Sequence, residues 1–157
     1  SRHNNTAIPL SWKNAMESEI LPAYINLQNR LYQFAKQWKK VPLLARTHGQ
    51  SASPTTLGKE LMVFVERINH QIELFSSIPY AAKFGGATGN FNAHHIAYPK
   101  KNWVALGNEF VDDVLGLERM QFTTQIEHYD HFAAQCDTLK IVEVERFQLV
   151  TRAIKVE

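Results

Sequence analysis

His48 is the residue of this sequence whose type and surroundings best suit acid–base chemistry. It lies in the stretch T-H-G-Q-S-A-S-P (residues 47–54), where Thr47, Gln50 and Ser51 place small hydrogen-bonding groups beside the ring. An imidazole titrates near neutral pH, so it can give a proton to a leaving group under physiological conditions. A solvated surface histidine has similar neighbours. The residues therefore leave two interpretations open, a surface histidine and a proton donor in an anion-binding turn.

A helix start follows this stretch. Ser53 is a good N-cap residue, and Pro54 suits the first helical position, where its missing N–H costs nothing. Apolar residues then repeat at helical spacing, namely Leu57, Leu61, Phe64, Val65, Ile68, Ile72 and Phe75. We expect a helix over residues 54–78, with its N-terminus beside His48, where the helix dipole would favour anions.

A second long helix is predicted over residues 9–39. Its apolar residues are spaced alternately by four and three, namely Met16, Ile20, Tyr24, Leu27, Leu31, Phe34 and Trp38. Such a seam suits packing along a neighbouring helix, and we expect the two long helices to be antiparallel. Pro22 should kink this helix or break it locally. A helix of about 30 residues is roughly 45 Å long, too long for the rest of this chain to cover, so the sequence predicts a larger bundle formed by oligomerisation.

Glycine and asparagine are frequent in residues 83–99. These glycines could simply make turns, or they could let the backbone approach a ligand closely. A shorter helix is expected over residues 103–116, with Gly116 as its C-terminal cap, and a last helix from near Tyr129. Residues 141–150 are rich in β-branched side chains, so their periodicity fits a strand as well as a helix. We predict a helix there because no partner strand is evident.

Composition places the chain among soluble globular proteins. Its 157 residues, 45% hydrophobic and 20% charged, suffice for one domain with a core, and we expect a single all-α domain over residues 1–157. A net charge of +2 with scattered basic residues indicates no nucleic-acid or membrane partner. The single cysteine, Cys136, excludes an internal disulfide. No signal peptide and no apolar span of about 18 residues is evident, so a cytoplasmic location is expected.

No metal site and no cofactor are expected. The histidines that resemble metal ligands in spacing are His94, His95, His128 and His131. Adjacent histidines point in different directions on a regular backbone, and His128 and His131 lack a clear third and fourth ligand. The sequence also has no nucleophile-elbow motif of the kind that indicates a Ser/His/Asp hydrolase.

Four ordered segments resemble the fumarase/aspartase superfamily and, within it, the adenylosuccinate lyases. They are T-H-G-Q-S-A-S-P-T-T-L-G-K-E (47–60), K-F-G-G-A-T-G-N (83–90), F-N-A-H-H (91–95) with Tyr98 and Pro99, and T-T-Q-I-E (123–127). The resemblance covers residues 4 to about 140 and implies a fragment of the central long-helix domain, with residues 141–157 as a divergent tail. The family's third signature, a flexible loop that carries the catalytic base, is absent from the chain.

The resemblance also implies an activity. Adenylosuccinate lyases remove fumarate from a succinylated amine by β-elimination in purine nucleotide biosynthesis, need no cofactor, and form homotetramers with shared active sites. It gives His48 the role of general acid, Thr47 that of a hydrogen-bond donor to the succinyl group, and Gln125 that of a substrate-binding residue. Without the base loop and the flanking domains, the chain alone is expected to be inactive. The alternatives are another lyase of the superfamily and a non-catalytic helical oligomerisation module.

Overall fold

A computed structural model describes the backbone of residues 3–154 and the side chains of residues 3–150. Helices dominate it, and the predicted helical fold is confirmed. The helices are α1 (Asn4–Ala15), α2 (Leu21–Gln37), α3 (Leu57–Ser76), α4 (Asn92–Ala97), α5 (Trp103–Asn108) and α6 (Asp130–Ile154). The strands are β1 (Pro42–Thr47), β2 (Gln50–Thr56), β3 (Ala81–Ala82) and β4 (Glu118–Arg119). No helix in the described part of the chain is long and apolar enough to cross a membrane.

The predicted interruption of the first long helix is confirmed. A π-helical turn, Met16–Ile20, separates α1 from α2. Pro22 lies just after this turn; it has no N–H to donate to the carbonyl four residues earlier, and its ring crowds that carbonyl. The backbone accommodates the conflict by widening into a π-helical turn, which is the usual form of such an insertion within a helix.

The described chain forms two compact units. Unit 1 consists of residues 3–18 with Ser76–Cys136, and unit 2 of Glu19–Phe75 with residues 137–154. Unit 2 contains α2, the β1–β2 hairpin, α3 and most of α6. Unit 1 contains α1, the short parallel pair β3–β4, α4, α5 and the first residues of α6.

In unit 2, α2 and α3 are antiparallel, as predicted. Gly58 at the start of α3 lies against the backbone of Ala35 near the end of α2. About two turns before Ala35 in α2, the side chain of Gln28 donates to that of Asn69 at 3.0 Å. Asn69 lies about three turns after Gly58 in α3, so the two helices run in opposite directions. Their interface is an apolar core of Leu31, Phe64, Val65 and Ile68, extended by Leu27, Leu61, Ile72 and Leu149. A glycine at position 58 is what lets the two helix backbones meet.

The predicted start of the second long helix at Pro54 is wrong. Residues 50–56 form β2, which pairs antiparallel with β1 and places Leu43 opposite Thr55. The β-branched threonines suit a pleated strand, and a proline is tolerated because both strands of a two-stranded sheet are edges. The helix begins at Leu57 instead. Thr56 caps it, because its Oγ1 accepts a hydrogen bond from the N–H of Lys59 at 3.3 Å.

The helical interpretation of residues 141–150 is confirmed, since α6 runs through them. Val142 and Glu145 are buried, and Leu149 packs against the core of unit 2. Spacings of three and four residues place these side chains on one helical face. Contact with this core therefore selects the helix over the strand that the β-branched residues could also have formed.

In unit 1, a small apolar core includes Ala82 of strand β3. It consists of Ala82, Val111 and Leu117, with Leu10, Tyr80, Phe84 and Leu115 packed against it. The predicted helix over residues 103–116 is present as α5 followed by a π-helical segment, Glu109–Val114. Gly116 has a φ of 62°, the left-handed conformation of a C-terminal cap, so its predicted role is confirmed.

Candidate active site

His48 lies at the tip of the β1–β2 hairpin. Its φ is 53° and that of Gly49 is 76°, while Thr47 and Gln50 pair across the turn. Two central residues with positive φ define the tight turn whose twist matches a right-handed hairpin. Histidine is among the non-glycine residues that tolerate this conformation. The turn presents an exposed imidazole to solvent, directly next to the exposed hydroxyl of Thr47.

The prediction that a helix N-terminus lies beside His48 is wrong. The whole of β2 separates the histidine from the start of α3. A seven-residue strand spans about 20 Å, whereas the field of a helix dipole falls off within about one turn. The polar environment of His48 therefore consists of its neighbours in the hairpin, and the anion-favouring helix end lies elsewhere in unit 2.

Gln125 lies in unit 1, in the segment that joins β4 to α6. Its side chain is exposed, while its backbone carbonyl accepts a hydrogen bond of 2.7 Å from the ammonium group of Lys83. Lys83 is itself only 4% exposed, and it also donates to the carbonyl of Gly86 at 2.5 Å. The lysine thus joins the glycine-containing loop to the segment that carries Gln125.

The glycines of this loop have a packing role. Gly89 has a φ of 84°, and a Cβ placed on it would collide with the carbonyl oxygen of Thr123. A Cβ placed on Gly85 would lie 2.8 Å from the carbonyl oxygen of Gly89, and the carbonyl of Gly85 accepts from the N–H of Phe91 at 2.8 Å. Of the two interpretations of these glycines, close backbone approach applies at Gly89, and the group approached is the chain's own segment 123–127.

A third contact fixes the same segment. The backbone N–H of Glu127 donates to Oδ1 of Asn5 at 3.1 Å, and the Glu127 carboxylate accepts from the N–H of Tyr129 at 2.5 Å. Asn5 and Glu127 are both buried. The backbone of residues 123, 125 and 127 is therefore held in place, while the side chain of Gln125 remains exposed.

Arg119 contacts both ends of the glycine-containing loop. Its guanidinium donates to the carbonyl of Phe84 at 2.9 Å and to Asn108 at 2.8 Å, and it lies 5.1 Å from the centre of the Phe91 ring. Burial lowers the pKa of Arg119 from its ordinary value, and the nearby carboxylate of Asp112 partly offsets this. These contacts hold the two ends of the loop, because Phe84 and Phe91 flank its glycines.

The histidines weighed as metal ligands do not gather into a site. Among the described residues, no group of three or more His, Cys, Asp or Glu side chains could hold a metal ion. His94 packs among aromatic rings, 4.9 Å from Trp103 and 5.5 Å from Phe91 between ring centres. Its Nδ1 is buried and has no hydrogen-bond partner within the described chain.

The structure brings Thr47 and His48 together in unit 2, and places Gln125 in unit 1. Sequence reasoning assigned no role in the site to Asn5, Lys83, Arg119 or Glu127. A lysine or arginine that will be buried has no distinctive signal in a single sequence. The one available clue was that Lys83 opens a motif of glycines.

Comparison with known proteins gives consistent matches. The sequence profile of a family described as lyase matches residues 3–149. Adenylosuccinate lyase of Dictyostelium discoideum is 54% identical over 140 residues, which are 87% of this chain and 30% of the relative. The enzyme of that name from Vibrio cholerae is 40% identical over 130 residues, 83% of this chain and 28% of the relative. Adenylosuccinate lyase of Escherichia coli K12 is 39% identical over 134 residues, which are 85% of this chain and 29% of the relative.

Proposed function

The chain belongs to the lyase family of the fumarase/aspartase superfamily, and from this premise we propose that it forms the central helical part of an adenylosuccinate lyase. The chain spans about 30% of the Dictyostelium relative, so the activity is that of a longer assembled enzyme. The observation that carries the proposal is the 54% identity to the Dictyostelium adenylosuccinate lyase over 140 residues of this chain.

The reaction is a β-elimination of fumarate from adenylosuccinate or the related succinylated purine precursor. A base removes a proton from Cβ of the succinyl group, the electron pair forms the fumarate double bond, and the C–N bond breaks. The departing amine nitrogen must then gain a proton. His48 can supply that proton, because the hairpin presents its imidazole to solvent without burying it.

Thr47 and Gln125 are proposed to bind the substrate. The hydroxyl of Thr47, beside His48, can donate to a succinyl carboxylate, and such charge-assisted hydrogen bonds are short and strong. The side-chain amide of Gln125 can both donate and accept, which suits a substrate carrying polar groups of both kinds. No residue of this chain is proposed as the base.

We also propose assembly into a homotetramer in the cytoplasm, with active sites shared between subunits. Large apolar side chains of α2 remain open to solvent, among them Ile25 and Phe34, each 44% exposed. Phe34 stacks on Trp38, with ring centres 5.1 Å apart, which extends the apolar surface. Exposed apolar surface marks association sites. Phe34 and Trp38 belong to the seam seen in the sequence, whereas Ile25 lies nine residues before Phe34, on the opposite face of α2.

A segment exchange tests the proposed function. The 140 aligned residues of the Dictyostelium enzyme would be replaced by their counterparts from this chain, and fumarate release from adenylosuccinate would be followed. We expect an active tetramer. A folded tetramer that releases no fumarate from either succinylated substrate would contradict the proposal and favour the helical module.

A further inference from the structure

We infer that Lys83 is a positioning residue for substrate binding, acting through the backbone of Gln125; this inference rests on the proposed function of Gln125. The ammonium group of Lys83 donates to the Gln125 carbonyl at 2.7 Å and to that of Gly86 at 2.5 Å. Both carbonyls and the lysine belong to unit 1. Lys83 thus positions Gln125, the proposed substrate-binding residue, and need not contact the substrate itself.

Burial makes these bonds consequential. Lys83 is 4% exposed, and a charged group that is removed from water must be compensated by hydrogen bonds inside the protein. A bond between a charged donor and a carbonyl contributes more than a neutral one. The carbonyl of Gln125 is therefore held firmly at one place, although the lysine stands 42 positions earlier in the sequence.

The other contacts of the segment leave Gln125 dependent on this one. Gly89 packs against Thr123, and Asn5 accepts from the N–H of Glu127. These contacts fix the residues two positions before and two positions after Gln125. Lys83 provides a hydrogen bond to Gln125 itself, so its loss would let the centre of the segment move while its ends stay attached.

The effect should appear in substrate binding. Side chains of binding groups must be held to within a fraction of an ångström to keep their full effect. In the segment-exchange enzyme, Lys83→Met keeps the side-chain volume and removes the donors. We expect KM to rise about tenfold or more and kcat to change less, since an interaction shared by ground state and transition state is lost.

A double-mutant cycle separates positioning from general stability. If Lys83 acts through Gln125, Lys83→Met should add little to the KM of Gln125→Ala, because residues that act as one unit are not additive. Lys13→Met is the matched control, since Lys13 also donates to a backbone carbonyl of unit 1, that of Gly116 at 2.8 Å. Its KM should be unchanged, and Lys83→Arg should recover part of the loss.

Additive effects in the cycle would overturn the inference, as would an unchanged KM in Lys83→Met. Lys83→Gln, which keeps an N–H donor, enters the same cycle if Lys83→Met does not fold. Loss of folding in both variants would also count against the inference, because Lys83 would then be a general stabilising residue.

Amide hydrogen exchange at residues 125–127 tests the contact between Lys83 and Gln125 (the tether) even if the segment-exchange enzyme is inactive, so failure of the proposed function is seen separately. Faster exchange in Lys83→Met is expected, and unchanged exchange would refute the tether.

Discussion

Asn5 and Glu127 are joined by a buried hydrogen bond of 3.1 Å, in which the backbone N–H of Glu127 donates to the side-chain carbonyl of Asn5. The backbone carbonyl of Asn5 accepts a second hydrogen bond, from the N–H of Lys83 at 3.2 Å. One residue in the first turn of α1 thus contacts both the start of the glycine-containing loop and the segment that carries Gln125. The fold of unit 1 supports the proposed binding residue through this asparagine.

Replacing Asn5 by alanine should lower the free energy of unfolding by about 1–3 kcal/mol, because the N–H of Glu127 would be left buried without its acceptor. Thermal or urea unfolding of the chain would measure the change. Asn14→Ala, on the exposed face of the same helix, is the control and should have little effect. Equal stabilities for the two variants would show that the Asn5 contact is unimportant.

A methyl group at position 58 should separate α2 from α3. The Cβ of Gly58→Ala would collide with the carbonyl oxygen of Ala35 and lie 2.7 Å from the Cα of Lys39, both of them backbone atoms that cannot rotate away. Overpacking of this kind costs about 1–3 kcal/mol, despite the better helix propensity of alanine. Denaturant unfolding would measure it, with the neighbouring exposed Lys59→Ala as control. A variant as stable as the parent would contradict the close approach.

Glu145 should make the stability of unit 2 depend on pH. Burial raises the pKa of its carboxyl group above 4.5, and the charges of Arg67 and His70 partly oppose the shift. Its Oε1 lies 3.3 Å from Nε of Arg67, whereas its buried Oε2 has no hydrogen-bond partner in the described chain. The raised pKa means that the folded state holds the proton more tightly. The stabilising contribution is therefore complete below 4.5 and is lost as pH rises through the raised value.

The glutamine of Glu145→Gln has no carboxyl group to ionise. The stability of this variant relative to the unaltered chain should therefore increase as pH rises above 4.5. Unfolding of both proteins across the acid-to-neutral range would show the difference. The exposed Glu66→Gln on α3 is the control, and it should follow the unaltered chain at every pH. A difference between Glu145→Gln and the parent that does not vary with pH would exclude the shifted carboxyl.

The isolated chain should release no measurable fumarate from adenylosuccinate. It contains His48, Thr47 and Gln125, but we assign the base to no residue of it, and a missing general base costs typically 10²–10⁴-fold in rate. The assay is fumarate release by the purified chain at high concentration, with the segment-exchange enzyme as positive control. Turnover by the chain alone would show that it contains a base that the proposed function does not assign.

The sequence predicts those features of the fold that depend on nearby residues. The apolar spacing of residues 57–75 predicted α3, and Gly116 predicted the end of the helical segment before it. Pro54 was misassigned because a proline suits a helix start and an edge strand equally well, and the pairing of Thr55 with Leu43 decided between them. The role of Lys83 depends on a contact 42 residues away, and no local pattern carries that information.

The same limit applies to the candidate site. Resemblance to the lyases located Thr47, His48 and Gln125, whereas local chemistry alone left His48 as a surface or catalytic histidine. The supporting contacts of Asn5, Lys83 and Arg119 appear only once the chain is folded, because each joins a buried side chain to distant backbone.

The most direct test of the proposed function is the turnover of the segment-exchange enzyme with His48 and with His48→Gln. The amide of glutamine cannot donate a proton as a general acid, so kcat should fall by about 10²-fold or more. KM should change less, since glutamine keeps hydrogen-bonding capacity. His70→Gln, an exposed histidine of the same unit, should leave kcat unchanged. A His48→Gln enzyme that turns over adenylosuccinate at the full rate would contradict the role of His48 as the general acid.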